Sequence, residues 1–331
     1  MLPKGNGKIH VVCFGGGTGL SSLFSILKDD PRLSISTVVT MFDSGGSSGK
    51  LRDRFGILPP GDILRCILAL SDVKKDVIRE ILLRRIPPEW LGEMNTNPDP
   101  DVAHTVGNIL FLGLQQQYGL QAAVKILSHA FAIKGRVHPV SLHQSDLCAE
   151  LSDGSIVHTE VHVDKSIAQG NHIKRLFLEP DVPPNEEALE AARQADAFCI
   201  GPGSFYTSVL PNFLPKGVCH VVSQSRAPII FILNLMTEGA GMKGHTAEHI
   251  VSNLENTIGR PVDKVIVNSH IPHGRLEEYA KQQKFPIEYD SKADRGRFVY
   301  APLWLDGSLA RHDPASLSYV IGSVVYDLVK K

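Results

Sequence analysis

Two glycine-rich turns and a pair of aspartates are the residues in this 331-residue chain with the types and spacing for chemistry. The first turn, Gly15-Gly16-Gly17-Thr18-Gly19, follows an apolar run from Ile9 to Phe14 and precedes the helical spacing Leu20, Leu23, Ile26, Leu27. Backbone N–H groups at such a strand-to-helix turn point outward, and the helix dipole favours an anion. A phosphate on Gly16, Gly17, Thr18 and Gly19 is therefore the natural guest. The turn is neither a Walker A sequence nor a full GxGxxG, since Leu20 stands at the third position. Its alternative role is a tight turn that needs permissive dihedrals. A second turn, Gly201-Pro202-Gly203-Ser204, has the same construction after the run Ala197 to Ile200. It either takes a second anion or is a helix start capped by Ser204. Two such sites on one sheet suit a diphosphate, or a ligand with two separated polar ends.

Asp43 ends a second β-branched run, Ile35 to Phe42, and opens a stretch of small residues: Ser44, Gly45, Gly46, Ser47 and Ser48. A carboxylate at a strand's carboxyl end can hold Mg²⁺ beside phosphates, with Asp62 as the second ligand. Asp62 can equally cap the helix "DILRCIL". Lys50, Arg52 and Arg54 are close enough in sequence to reach a ligand's charge. Asn234, Met236 and Thr237 follow the run Ile229 to Leu233, where open α/β sheets bind ligands. His104 and Asn108, four residues apart, share one helix face. They either meet a ligand or form the polar first turn of a core-facing helix. "GAGMKG" (239–244) matches GxGxxG literally but stands apart from its strand, and reads as a mobile loop. His158 and His162 fall with Glu160 on the solvent face of an alternating strand. A Ser-His-Asp context, HExxH and paired-cysteine knuckles are not legible in the sequence, which argues against hydrolase and zinc-enzyme chemistry.

These residues need a scaffold that gathers strand ends. Strand, glycine turn, helix, strand over 9–42 is the start of a βαβ unit, and the same alternation resumes after residue 185. Between them, 62–132 reads as a helical insert and 138–178 as a β-hairpin excursion turning at Asp153-Gly154. The proline-rich stretch 86–101 reads as a surface loop. The expected fold is one Rossmann-like, three-layer α/β/α domain over 1–331 with a mostly parallel sheet. A formal net charge of −1 gives no reason to expect nucleic acid or membrane as a partner. Five dispersed cysteines read as buried thiols of a cytoplasmic protein. Neither a signal peptide nor a membrane span is legible.

Taken in order, "VVCFGGGTGLSSL", "TVVTMFDSGGSSGKLRDRFGILPPGDI", "HTVGNIL", "GRVHPVS", "ADAFCIGPGSFYTSVLPNFL", "ILNLMT" and "ARHDP" resemble the CofD-like (2-phospho-L-lactate transferase) superfamily. The likeness runs from about Lys8 to Lys330 and is strongest to the bacterial YvcK-type gluconeogenesis factor branch. The resemblance implies a Rossmann-like fold and a homodimer. It also implies a ligand site at Gly16 to Gly19, Asp43 to Ser48, Asp62, His104, Asn108, Gly201 to Ser204, Asn234, Met236, Thr237 and Arg311. The transferase branch moves a phospholactyl-type group from a nucleotide-diphosphate donor to a deazaflavin with Mg²⁺. The bacterial branch looks instead like a regulatory binder of UDP-sugars such as UDP-N-acetylglucosamine, linked to carbon metabolism and cell shape. This chain departs from the branch pattern at Ser44, where an aspartate is usual, at Leu64-Arg65, and at Glu238 to Met242. Ser44 removes one carboxylate from a two-aspartate metal site and tips the expectation from catalysis towards binding. An NAD(P) dehydrogenase shares the fold class but requires a third glycine and an acidic ribose partner, and neither is found in place.

Overall fold

The run Ile9–Gly15 forms β1, and every residue in it except His10 is buried. A strand apolar on both faces must be covered from both sides, as in a parallel sheet between helices. The computed structural model describes residues 7–72, 75–90, 103–272, 276–290, 296–307 and 309–330. After β1 come α1 (Gly17–Leu27), β2 (Leu33–Val39), α2 (Gly46–Phe55), α3 (Gly61–Leu70) and α4 (Lys75–Leu83). Next are α5 (Val106–Tyr118), α6 (Leu120–Ala130), β3 (Arg136–Pro139), β4 (Asp146–Leu151), β5 (Ile156–His158) and α7 (Glu160–Ala168). The chain continues through β6 (Ile173–Glu179), α8 (Glu186–Arg193), β7 (Ala197–Ile200), α9 (Val218–Gln224) and β8 (Ile229–Ile232). It ends with α10 (Ala247–Ile258), β9 (Lys264–Asn268), α11 (Leu276–Lys281), β10 (Phe298–Ala301) and α12 (Pro314–Val329).

Seven strands form one sheet in the order β10-β9-β8-β7-β1-β2-β3, and every neighbouring pair is parallel. The expected α/β fold is therefore present. From β1 the chain builds outward through β2 to β3, then returns to β7 and builds the other way. The order reverses between β1 and β7, the position at which open α/β sheets form a ligand crevice.

Local chemistry explains the helix ends that frame this crevice. Asp313 accepts the Ser316 N–H at 2.8 Å and Pro314 occupies the first turn, so α12 starts where the sequence says it must. The buried Lys28, just past α1, donates to the carbonyls of Ala69 and Ser71, and so satisfies groups that α3 leaves open at its end.

The helical insert read at 62–132 contains two helices, α3 and α4, over 62–84. In the small-residue stretch after Asp43, Gly46 to Ser48 open α2. The hairpin β4–β5 exists, and β6 extends it to a three-stranded antiparallel sheet in the order β5-β4-β6. However, the second hairpin strand stops at His158. Thr159 adopts φ of 70°, and Glu160 onward is helical. The face assigned to His158, Glu160 and His162 on a strand is thus divided between a strand end and a helix. Of the expected loop at 86–101, residues 91–101 lie outside the described residues. All five cysteines are free, four of them buried.

Candidate functional site

The two glycine turns meet at the reversal point of the sheet. Gly201 donates its N–H to the Phe14 carbonyl at 2.8 Å, and the buried Asn212 side chain donates to Gly15 at 3.3 Å. A Cβ on Gly19 would lie 1.9 Å from the Pro202 carbonyl oxygen, and one on Gly17 would lie 2.5 Å from the Asp62 Cα. Only glycine lets the first turn of α1 touch both the second turn and α3. The packing reading of this turn is therefore satisfied whether or not an anion binds. No side chain caps α1, so its first N–H groups stay available at the wall of the cleft.

That cleft has a volume of about 930 Å³. Of the sequence-predicted residues it is lined by Thr18, Gly19, Asp43, Asp62, Pro202, Gly203, Ser204, Asn234, Met236, Thr237 and Arg311. Gly16, Gly17 and Gly201 lie behind them as backbone packing. Ser44, Gly45, Gly46, Ser47, Ser48, His104 and Asn108 are not among the lining residues. Ser47 is hydrogen-bonded to His104 Nδ1 at 2.9 Å and accepts from Asn108 Nδ2 at 2.9 Å, all three being buried. Ser48 accepts the Gly61 N–H at 3.2 Å. This polar network fastens α2 to α3 and α5, so His104 and Asn108 hold the cleft wall from behind. Lys50, Arg52 and Arg54 do not line the cleft either. Arg52 instead binds Asp146 at 2.8 Å, tying α2 to β4.

Carboxylates dominate the electrostatics. Asp43 is pushed up to about 6, first by burial and then by Asp62. Glu160 is pushed up to about 8, again by burial first, with Asp43 and Asp164 adding repulsion. Asp164 is raised for the same leading reason. The Ser44 N–H donates to Glu160 at 3.4 Å, while the Gly45 N–H donates to Asp43 at 2.8 Å. The Ser44 hydroxyl accepts from the Val161 N–H at 3.1 Å, so it helps start α7. Glu160 thus brings a carboxylate from α7 to the strand end beside Ser44.

These hard oxygens suit Mg²⁺ in type, but among the described residues no three of them come within 4.8 Å of one another as a closed metal site would. Asp43 and Asp62 would hold it, with Glu160 beside them. Bound there, the ion would neutralise phosphate charge. Cations on the same cleft are Arg65, Lys165, Lys284 and Arg311, and Arg65 already pairs with Asp62 at 3.1 Å.

The second turn is differently arranged. Ser204 does cap, accepting from the Thr207 N–H at 3.3 Å, and Phe205–Val209 wind as a single π turn. Asn234 accepts the Gly203 N–H at 3.2 Å and returns a hydrogen bond to the Gly203 carbonyl at 2.7 Å. The Glu238 carboxylate takes the Phe205 N–H and the Ser204 hydroxyl. Burial lifts it to about 7 against the pull of those donors. The protein thus supplies its own anion where the sequence led us to expect a ligand's.

Sequence reasoning missed Glu160, Asp164 and Glu238 as members of the site. The available signal was the four-residue spacing of Glu160 with Asp164 and of Val163 with Ile167, which is helical. The segment expected to be a mobile loop is packed: a Cβ on Gly241 would lie 2.2 Å from the Asn171 carbonyl, just past α7. Its glycines permit contact between backbones.

The family described as 2-phospho-L-lactate transferase CofD matches residues 11–303. A protein named gluconeogenesis factor from Halalkalibacterium halodurans is 38% identical over 287 residues, 86% of this chain and 85% of the relative. Another of that name from Listeria monocytogenes is 36% identical over 266 residues, 79% and 78% of the two chains. A crystal structure of a Bacillus halodurans protein is similar at a TM-score of 0.85 and 35% identity, covering 95% of this chain and 99% of that one. Among the described residues, no helix is long and apolar enough to cross a membrane. Fold, matched residues and relatives agree, and the chain belongs to the CofD family.

Proposed function

We propose that this protein is a regulatory binder of a nucleotide sugar, of the UDP-N-acetylglucosamine class, acting as a gluconeogenesis factor in carbon metabolism and cell shape. One observation carries the reading: a cleft of about 930 Å³ lies at the reversal point of a parallel sheet, beside the uncapped start of α1. That volume lies in the range of small-molecule sites. A diphosphate would meet the α1 amides near Thr18 and Gly19, with Lys165, Lys284 and Arg311 as counter-charges. Asn234 and Thr237, whose side chains already bond Gly203 and the Phe285 N–H, would form the neutral wall beside a sugar or ribose. The relatives named gluconeogenesis factor support the regulatory role.

Thermal unfolding with UDP-N-acetylglucosamine and other nucleotide sugars tests it. Ligand at 100 times its Kd should add about 2.7 kcal/mol of stability. No shift with any nucleotide sugar at saturation would end this reading.

The carboxylate cluster favours a second reading, a Mg²⁺-dependent transferase acting on a nucleotide-diphosphate donor and a deazaflavin acceptor. Asp43 and Asp62 would hold the ion, and the α1 amides would stabilise charge on the phosphates. Release of a nucleoside monophosphate that depends on the deazaflavin would decide for it.

A further inference from the structure

The antiparallel sheet carries a cluster of different composition, away from the main cleft. Cys148 on β4, His158 at the end of β5 and Glu179 at the end of β6 come from three neighbouring strands. Cys148 and His158 stand directly opposite in the β4–β5 register, and Glu179 pairs with Asp146, two residues from Cys148 on β4. The Cys148 Sγ lies 3.4 Å from His158 Nδ1 and 4.0 Å from Glu179 Oε2. His158 Nδ1 lies 3.1 Å from Glu179 Oε2.

A tetrahedral ion with a sulfur ligand at about 2.3 Å and nitrogen or oxygen ligands at about 2.0 Å requires set spacings. These are about 3.5 Å from sulfur to either ligand and about 3.3 Å from nitrogen to oxygen. The observed triangle matches on two sides and needs only a small inward rotation of Glu179 on the third. Glu179 is exposed and free to make it.

We propose that Cys148, His158 and Glu179 form a site for one divalent metal ion of the zinc class, with a fourth position open to solvent. A mixed sulfur, nitrogen and oxygen set selects a borderline ion such as Zn²⁺ over Mg²⁺ or Ca²⁺. Binding replaces the thiol proton with a metal–sulfur bond and releases that proton to solvent.

Two further features belong to the site. Burial holds the Cys148 thiol above its ordinary value, and the Thr159 backbone N–H on its sulfur works against that rise. Thr159 itself has φ of 70°, costly for a β-branched residue, and it directly follows His158. That backbone strain turns the chain so that the His158 ring meets Cys148 while Glu160 begins α7.

The purified chain, freed of metal by chelation, would be titrated with Co²⁺ and followed by optical absorption. We expect one Co²⁺ per chain, a near-ultraviolet thiolate-to-cobalt charge-transfer band, and loss of the band on adding Zn²⁺. Cys148→Ser should abolish the band, whereas Cys219→Ser, at a half-buried thiol elsewhere, should keep it. Glu179→Gln, at an exposed position that does not endanger folding, should keep the band and weaken Co²⁺ binding at least about 10-fold. The proposal is overturned if the wild type shows no band at saturating Co²⁺, or if the band survives in folded Cys148→Ser. Unchanged Co²⁺ affinity in Glu179→Gln overturns it equally.

Discussion

The Ser204 hydroxyl donates to the Glu238 carboxylate at 2.9 Å, and the same carboxylate takes the backbone N–H of Phe205. An internal anion therefore sits on the second glycine turn. A ligand phosphate directed there must meet it either as a neutral acid or as a like charge.

Under the proposed nucleotide-sugar reading, this arrangement would make affinity depend on pH. Glu238 is held at about 7, so it carries its proton below that pH and a negative charge above it. We expect affinity for UDP-N-acetylglucosamine to fall between pH 6 and 8, approaching about tenfold per pH unit at most. Glu238→Gln should bind with a flat profile over that range. Calorimetric titrations of both proteins at three pH values check this, and a parallel decline in the variant would refute it.

Glu160 has a folded-state value raised from 4.5 to about 8. A raised acid holds its proton longer in the folded state than in the unfolded one, so stability is lost as pH rises from about 4.5 through 8. Glu160→Gln should leave stability unchanged at pH 4 and raise it by about 1–3 kcal/mol at pH 8.5, allowing for partial solvent screening. Urea unfolding at the two pH values measures the difference.

Mg²⁺ bound as the second reading proposes would compete with the proton on Asp43, held at about 6. Its stabilising effect should therefore be small at pH 5 and grow through pH 7. Asp43→Asn should remove most of it. Melting temperatures with and without Mg²⁺ at each pH report this without any assay of turnover, and a pH-independent Mg²⁺ effect would count against the site.

Gly19→Ala should destabilise the ligand-free protein, because its Cβ would fall 1.9 Å from the Pro202 carbonyl. A loss of about 1–3 kcal/mol is expected from overpacking at a backbone contact. Denaturant unfolding separates this from a binding role: a glycine needed only for phosphate approach would leave the unliganded stability intact.

Much of this architecture is legible from residue order. Apolar runs such as Ile9–Gly15 and Ile229–Ile232 become central strands because nothing else buries both faces of a β-branched segment. The glycine turns are legible because each follows such a run directly. The acids of α7 are not. Val157, Thr159, Val161 and Val163 alternate as a strand would, and the break comes from the backbone of Thr159, which no periodicity announces. Strand β6 is equally quiet, since it is largely exposed and gains its place by pairing with β4. His104 shows the limit from the other side. Its polarity allowed a ligand contact or a support within the fold, and it is hydrogen-bonded to Ser47 in the interior. Type alone does not distinguish a buried support from a surface that meets solvent.

The three-stranded sheet has a consequence for how such a protein can diverge. Glu160 and Asp164 reach the cleft on α7, which hangs from that small sheet rather than from the seven-stranded one. A lengthened hairpin or a shifted register at β4–β5 would withdraw or advance both acids together and leave the glycine turns where they are. The charge of the cleft can therefore be retuned by an accessory cassette without rebuilding the scaffold that carries the glycine turns.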